Sequence, residues 1–86
     1  MPELSRFYGI IIRMYYDDHA PPHFHAYYGE YEAVFEVETL AEIKGQLPAR
    51  ARGLVIEWGQ KNQAELRMAW KKASNLEKPG KITPLD

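Results

Sequence analysis

The stretch HFHAYYGEYEAVFEVE, residues 23–38, predicts a β-hairpin. Apolar and polar side chains alternate on both sides of Gly29-Glu30, as they do in half-buried strands. A two-residue loop that begins with glycine favours a type II′ turn, and that turn fixes the register of the two strands. The facing pairs are then Tyr28–Tyr31, Tyr27–Glu32, His25–Val34 and His23–Glu36. Because the apolar faces of both strands coincide in this register, His23 and His25 are expected on the face that points away from the core.

The preceding segment FYGIIIRMYY, residues 7–16, is rich in β-branched and aromatic residues and predicts one further strand. The even positions suit the core face, and they are Tyr8, Ile10, Ile12, Met14 and Tyr16. The odd positions place Arg13 and Tyr15 on the same face as the histidines. The segment TLAEIKGQ, residues 39–46, fits either a short strand or a loop. The first half of the chain therefore predicts a sheet of three or four strands.

Residues 47–75 predict a helical hairpin. Pro48 suits the first helical position, and Gly59 suits a helix C-terminus. Asn62 resembles the N-cap of a second helix, with Glu65 three residues later in a capping-box arrangement. The apolar stripes of the two helices are Ala51, Leu54, Val55 and Trp58, then Leu66, Ala69, Trp70 and Ala73. At this spacing both tryptophans are expected to be core anchors, with His23 and His25 pointing away from them.

The simplest architecture is one α+β domain, residues 1–86, in which a two-helix hairpin packs on one face of the antiparallel sheet. Residues 1–46 are mainly β, residues 47–75 form the helical hairpin, and residues 76–86 form a tail that contains Pro79-Gly80. A chain of 86 residues buries only a thin core. Binding to a partner or self-association into a homo-oligomer is therefore expected to add stability.

Charge and composition narrow the classes of function. The net charge of −1 gives no general attraction for nucleic acid. Residues 1–46 carry three Lys/Arg and eight Asp/Glu, whereas residues 47–86 carry eight and four, so one-sided binding surfaces are expected. The absence of cysteine excludes disulfides, thiolate zinc sites and a cysteine nucleophile. There is no signal-peptide pattern and no apolar run long enough to span a bilayer, so a cytoplasmic protein without membrane contact is expected.

All three histidines lie in DDHAPPHFH, residues 17–25, and one interpretation of this stretch is a metal site. On a strand, His23 and His25 lie on the same side and can converge on one ion. A third ligand can come from His19, Asp17 or Asp18. Zinc accepts histidine nitrogen and carboxylate oxygen, so the expected cofactor under this interpretation is zinc.

A second interpretation is metal-free catalysis. Histidine titrates near neutral pH, so His19, His23 and His25 can supply a general base and a general acid. Arg13 on the same face can hold a phosphate. An acid, a base and a cation together suit the cleavage of the RNA backbone, so RNA is the expected substrate under this interpretation.

A third interpretation is structural. Pro21-Pro22 stiffens the connection, and Asp17 and Asp18 favour turns through side-chain-to-backbone hydrogen bonds. His19 then bonds the loop backbone, and His23 pairs with Glu36 across the strands. Residue types and spacing leave the three interpretations open.

The same residues carry a resemblance to a family. SRFYGIIIRMYYDDHAPPHFH, residues 5–25, resembles the opening of a family of short bacterial proteins classed as a domain of unknown function, with the signature R-F-x-G-I-x-I-x-M followed by D-H-x-P-P-H-F-H. The likeness continues through Leu47-Pro48 and Glu57-Trp58 to the final I-x-P-L, residues 82–85. Members are often encoded beside a second small protein. The resemblance therefore implies an interaction domain that forms half of a two-protein, toxin–antitoxin-like module, with the neighbouring small protein as partner.

Overall fold

A computed structural model describes residues 2–16 and 18–86 and shows a five-stranded antiparallel sheet followed by two helices. The strands are β1 Glu3–Phe7, β2 Ile10–Arg13, β3 His23–Tyr28, β4 Tyr31–Glu36 and β5 Glu42–Gly45. The helices are α1 Ala49–Lys61 and α2 Gln63–Ser74. The strands follow one another in the order β1-β2-β3-β4-β5. The α+β class is confirmed, and the expected count of three or four strands is corrected to five.

The additional strands come from the two ends of the predicted sheet. Residues 7–16 do not form one strand, because Tyr8 and Gly9 both adopt positive φ, at 49° and 80°, and turn the chain between β1 and β2. Tyr8 was expected on the core face but is 54% exposed because it occupies this turn. Tyr16 was also expected there and is exposed because it lies beyond the end of β2. At the other end, β5 pairs with β4, which resolves the ambiguous segment as a strand.

The hairpin of β3 and β4 has the predicted register. Tyr28 faces Tyr31, and the remaining facing pairs are Tyr27–Glu32, His25–Val34 and His23–Glu36. Gly29 has φ of 56°, as the first central residue of a type II′ turn requires. The core face of this hairpin consists of Phe24, Ala26, Ala33 and Phe35, all buried. The register therefore places His23 and His25 on the other surface of the sheet, called the open face below.

The helices differ from the prediction at their boundaries. Helix α1 runs through Gly59, which is buried, and ends at Lys61 with Asn62 as its C-cap. The expected stop at Gly59 is therefore wrong, and packing explains the glycine, because a Cβ there would lie 2.7 Å from the Leu40 side chain. Pro48 is the N-cap of α1, one position earlier than expected. The Asn62 side chain donates to the Trp58 carbonyl, so no capping box forms.

The core lies between the sheet and the helices. Trp58 is fully buried, with its ring 5.5 Å from the Phe7 ring and 5.8 Å from the Phe24 ring, centroid to centroid. Its indole N–H donates to the carbonyl of Thr83 at 2.8 Å. Residues 76–86 form neither helix nor strand, but Ile82 and Leu85 are buried in this core. None of the described helices is long and apolar enough to cross a membrane.

Candidate functional site

His25 is the second of four residues that form a row across the open face. Strand pairing sets Arg13 beside His25, His25 beside Val34, and Val34 beside Lys44. Paired residues project to the same side of a sheet, so all four side chains rise from the open face. His23 precedes His25 by two positions on β3 and rises from the same face.

The ring of His23 is held between two acceptors. Its Nδ1 lies 2.7 Å from the carbonyl oxygen of Pro21, and its Nε2 lies 2.8 Å from an oxygen of Asp18. A carbonyl oxygen only accepts, so Nδ1 carries a proton and donates it to Pro21. Nε2 therefore faces the Asp18 carboxylate, and a second proton or a cation must lie between them. Glu36 faces His23 in the register, but the hydrogen bonds of the ring go to Pro21 and Asp18.

The ring of His25 is half-buried, and its two nitrogens are buried without hydrogen-bond partners among the described residues. Both nitrogens are shielded from solvent and neither makes a hydrogen bond to a described residue. The nearest acidic oxygens are on Glu32, 3.5 Å from Nδ1, and on Asp18, 3.9 Å from Nε2. A buried polar group without a partner costs free energy, so these two nitrogens need an account.

Three ligand atoms converge at this point. The available nitrogens of His23 and His25 and a carboxylate oxygen of Asp18 lie within 4.8 Å of one another. We call these three residues the Asp/His cluster. Ligand atoms that share one ion at 2.0–2.2 Å are at most about 4.4 Å apart, so the separations of 2.8 and 3.9 Å from Asp18 fit a common ion.

The local electrostatics favour the ligand forms of these groups. Burial raises the pKa of the Asp18 carboxyl, but hydrogen bonds from His23 and from the His19 amide outweigh burial and hold that pKa below its ordinary value. Burial also lowers the pKa of His25 below its ordinary value of 6.5, and the nearby Glu32 carboxylate opposes this only in part. An ionised carboxylate and a neutral imidazole are the forms that bind metals.

Helix α2 reaches the cluster through Trp70. The Trp70 ring lies 5.1 Å from the His23 ring, centroid to centroid. The expectation that both histidines avoid the tryptophans is therefore wrong for His23, which is buried at the first position of β3. Trp70 itself is only partly buried, and it packs against the hydrophobic core. Gln63 ties α2 to the same end through the carbonyls of Val37 and Glu38.

Aromatic rings surround His25 on its other side. Tyr15 meets it edge-on with centroids 4.5 Å apart, and Tyr27 is stacked at 6.3 Å. The two tyrosine hydroxyls are hydrogen-bonded to each other. Burial raises the pKa of Tyr27, so this hydroxyl stays protonated at neutral pH. Arg13 lies over the Tyr27 ring, with its Cζ 5.6 Å from the centroid.

The remaining predicted site residues lie outside the cluster. The His19 side chain is 95% exposed and its ring is 6.4 Å from that of His23, so it stands at the rim. The Arg13 guanidinium is directed over Tyr27, although Arg13 is the cross-strand neighbour of His25. Asp17, considered above as a ligand, lies outside the described residues.

An open depression of about 340 Å³ adjoins the Asp/His cluster, and its lining includes a positively charged residue, Lys44, that residue spacing did not predict. Its lining includes Asp18, His23 and His25 together with Val34, Ile43 and Lys44. Lys44 also lines a second depression, of the same volume, together with His25 and Glu32. The signal for Lys44 was obscured because residues 39–46 fit a loop as well as a strand. Once β5 is placed, pairing with Val34 brings Lys44 into the row.

Comparison with known proteins agrees with the resemblance at the level of the family. No curated protein and no solved structure shows significant similarity to the chain. Residues 9–71 match the family model described as a domain of unknown function, DUF4160. The match covers most of the chain, including β2, β3, β4, β5 and the Asp/His cluster. The chain therefore belongs to the DUF4160 family.

Proposed function

We propose that this protein binds one divalent transition metal ion, of which zinc is the best candidate, through Asp18, His23 and His25. The observation that carries the proposal is the convergence of three ligand atoms within 4.8 Å at a place where neither His25 nitrogen has a hydrogen-bond partner among the described residues. An ion at this position gives the buried Nε2 of His25 a partner and places positive charge between the Asp18 carboxylate and Nε2 of His23.

The surroundings of the two histidines support this proposal. A metal-binding histidine typically donates its second ring N–H to a carbonyl or carboxylate, which fixes the ring and the nitrogen that binds. His23 donates Nδ1–H to Pro21 and so directs Nε2 to Asp18. His25 directs Nε2 to Asp18 and Nδ1 to Glu32, at 3.9 and 3.5 Å. The His23 ring is therefore fixed by a hydrogen bond on the side away from Asp18, and the His25 ring has the Glu32 carboxylate near it on that side.

Three protein ligands leave a coordination position for water or substrate, as in catalytic zinc sites. When bound, such an ion supplies Lewis acidity and an activated water at neutral pH. Asp18, His23 and His25 would hold the ion. The rings of Trp70 and Tyr15 lie against the two imidazoles and restrict solvent around them.

Equilibrium dialysis of tag-free protein against zinc, followed by elemental analysis, tests the proposal. The expected result is one ion per chain for the wild type and for His19→Ala, because His19 is exposed at the rim. His25→Ala is expected to lower zinc affinity at least about 100-fold, since loss of an outer partner alone costs 10–100-fold. Equal zinc binding by wild type and His25→Ala would reject the site.

A second candidate is a metal-free ribonuclease, and one geometric observation favours it. The His23 and His25 rings lie 5.5 Å apart, centroid to centroid, with His23 between two acceptors and His25 free of hydrogen bonds to described residues. One ring can thus donate a proton while the other accepts one. RNA cleavage that survives a chelator and falls about 10²–10⁴-fold in His23→Ala or His25→Ala supports this candidate. Cleavage abolished by the chelator and restored by zinc assigns the activity to the metal.

The third candidate is an interaction domain in a two-protein, toxin–antitoxin-like module, as the resemblance implies. Exposed tyrosines gather at one end of the sheet, at the tips of two hairpins. Tyr8 and Tyr31 are 54% and 51% exposed, and the Tyr28 ring lies against Gly9. Tyrosine is enriched in protein interfaces. Co-purification with the product of the adjacent gene, lost in a Tyr8→Ser/Tyr31→Ser variant but kept in Tyr16→Ser, supports this candidate.

A further inference from the structure

We infer that the metal site takes an organic oxyanion, a phosphate or carboxylate group on an apolar body, and that Lys44 binds this anion beside the metal. The inference rests on the proposed function, because it names the ligand class for the same site. Three features that were not used for the metal site support it: the row across the open face, the ion pairing of the nearby cations and the lining of the depression.

The row places one positively charged residue on each side of His25. Arg13 is the cross-strand neighbour of His25 on β2, and Lys44 is two strands away on β5, across Val34. Two strand spacings separate the Cα atoms of His25 and Lys44 by roughly 10 Å. The four-carbon stem of a lysine extended over Val34 brings its ammonium toward His25.

The positively charged residues of the acidic half of the chain, residues 1–46, differ in whether they form ion pairs. Residues 1–46 contain three, which are Arg6, Arg13 and Lys44. Arg6 pairs with Glu3 at 2.8 Å. Neither Arg13 nor Lys44 forms an ion pair with any residue in the described ranges 2–16 and 18–86. Arg13 is occupied by the Tyr27 ring, so Lys44 is the cation that faces the depression.

The lining of the depression defines the rest of the ligand. Val34, the cross-strand neighbour of His25, and Ile43 form the apolar part of the lining, and Ile43 is 48% exposed. The cluster and the adjoining Glu32 are acidic, so a free anion is repelled unless an ion occupies the cluster. A ligand that fits therefore has an oxyanion between metal and Lys44 and an apolar part against Val34 and Ile43. Lys44 is an anion-binding residue in this arrangement, and binding of the anion requires metal.

The experiment uses zinc-loaded full chain, with inorganic phosphate in one calorimetric titration and benzoate in another. Zinc affinity is measured first for wild type, Lys44→Gln and the control Lys72→Gln, which changes an exposed lysine on α2. Lys44→Gln is expected to bind zinc as tightly as wild type or a few-fold tighter, because a nearby positive charge is removed. It is expected to bind the anion on the order of tenfold more weakly than wild type, whereas Lys72→Gln matches wild type.

Each outcome decides between the two proposals. Tighter binding of phosphate identifies a phosphate-bearing ligand, and tighter binding of benzoate identifies a carboxylate on an apolar body. Zinc binding without either anion, or anion affinity equal in wild type and Lys44→Gln, overturns the role of Lys44 and leaves the metal site standing. Absence of zinc binding overturns both, and anion binding to the chelated protein overturns the metal requirement.

Discussion

The Trp70 ring lies 5.1 Å from the His23 ring, centroid to centroid, so a side chain of the second helix packs against a member of the Asp/His cluster. Three further contacts hold that helix at the same end of the sheet. Gln63 donates to the carbonyls of Val37 and Glu38, and Arg67 forms a bidentate pair with the Glu38 carboxylate. The helical half of the chain therefore contributes to the position of His23, which hydrogen bonds to Pro21 and Asp18 also hold.

Replacing Trp70 with leucine tests this contribution. The variant is expected to lose about 1–3 kcal/mol of unfolding free energy through lost packing. Zinc affinity is expected to fall on the order of tenfold, because the His23 ring is less restrained. Denaturant unfolding and zinc titration measure the two effects. Met68→Leu on the same helix is the control, since Met68 is 57% exposed. Zinc affinity unchanged in Trp70→Leu would show that the helix does not support the site.

Two glycines of α1 provide a matched test of packing. A Cβ at Gly59 would lie 2.7 Å from the Leu40 side chain, whereas a Cβ at Gly53 would meet nothing within 4 Å. Gly53→Ala is expected to stabilise the protein by about 0.5–1 kcal/mol through helix propensity. Gly59→Ala is expected to destabilise it by about 1–3 kcal/mol through overpacking. Thermal or denaturant unfolding compares them, and two equally stabilising substitutions would contradict the close approach of Leu40.

The C-terminal segment is expected to support the core. Ile82 is buried, and its amide donates to the Leu4 carbonyl of β1 at 2.7 Å. Ile82→Ala should cost about 2–4 kcal/mol, the range for truncating a buried aliphatic side chain. Lys78→Ala in the same segment should change the unfolding free energy by less than about 0.5 kcal/mol. Similar unfolding curves for the two variants would mean that Ile82 is not part of the core.

The Glu38–Arg67 pair sets a pH dependence with a definite sign. The hydrogen bond from Arg67 holds the pKa of Glu38 below its ordinary value of 4.5. The pair therefore contributes stability above the unfolded-state pKa and loses it as pH falls through the lower folded-state pKa. An NMR titration of the Glu38 carboxyl should give a midpoint below 4.5 that rises in Arg67→Gln. A wild-type midpoint at or above the ordinary value would contradict the pair.

Local rules predict the central hairpin well and the ends of elements less well. The alternation in residues 23–38 and the Gly29 turn determine the register, because a one-residue slip would turn every apolar side chain outward. The turn at Tyr8-Gly9 was missed because tyrosine rarely adopts positive φ, and the surrounding residues all favour strands. Gly59 resembles a helix end in the sequence, because its packing role depends on Leu40, which is distant in sequence.

For the candidate site as well, features within one segment were predicted, and contacts between separate elements were missed. The position of the histidines and Arg13 on one face was predicted from strand period and turn geometry, and the direct pairing of Arg13 with His25 is an additional finding of the structure. Lys44 and Trp70 were missed as neighbours of the cluster, because they reach it from β5 and α2. Such contacts depend on where separate elements meet, which residue spacing within one segment does not specify.

Histidine side-chain NMR during zinc addition tests the proposed metal site most directly, because the chain contains only three histidines. Long-range ¹⁵N–¹H spectra resolve the two nitrogens of each ring. The account predicts that one equivalent of zinc shifts Nε2 of His23 and Nε2 of His25 to metal-bound positions. Nδ1 of His23 should keep its proton to Pro21, and His19 should remain unchanged. Zinc-dependent shifts confined to His19, or no shift in any ring, would contradict the site.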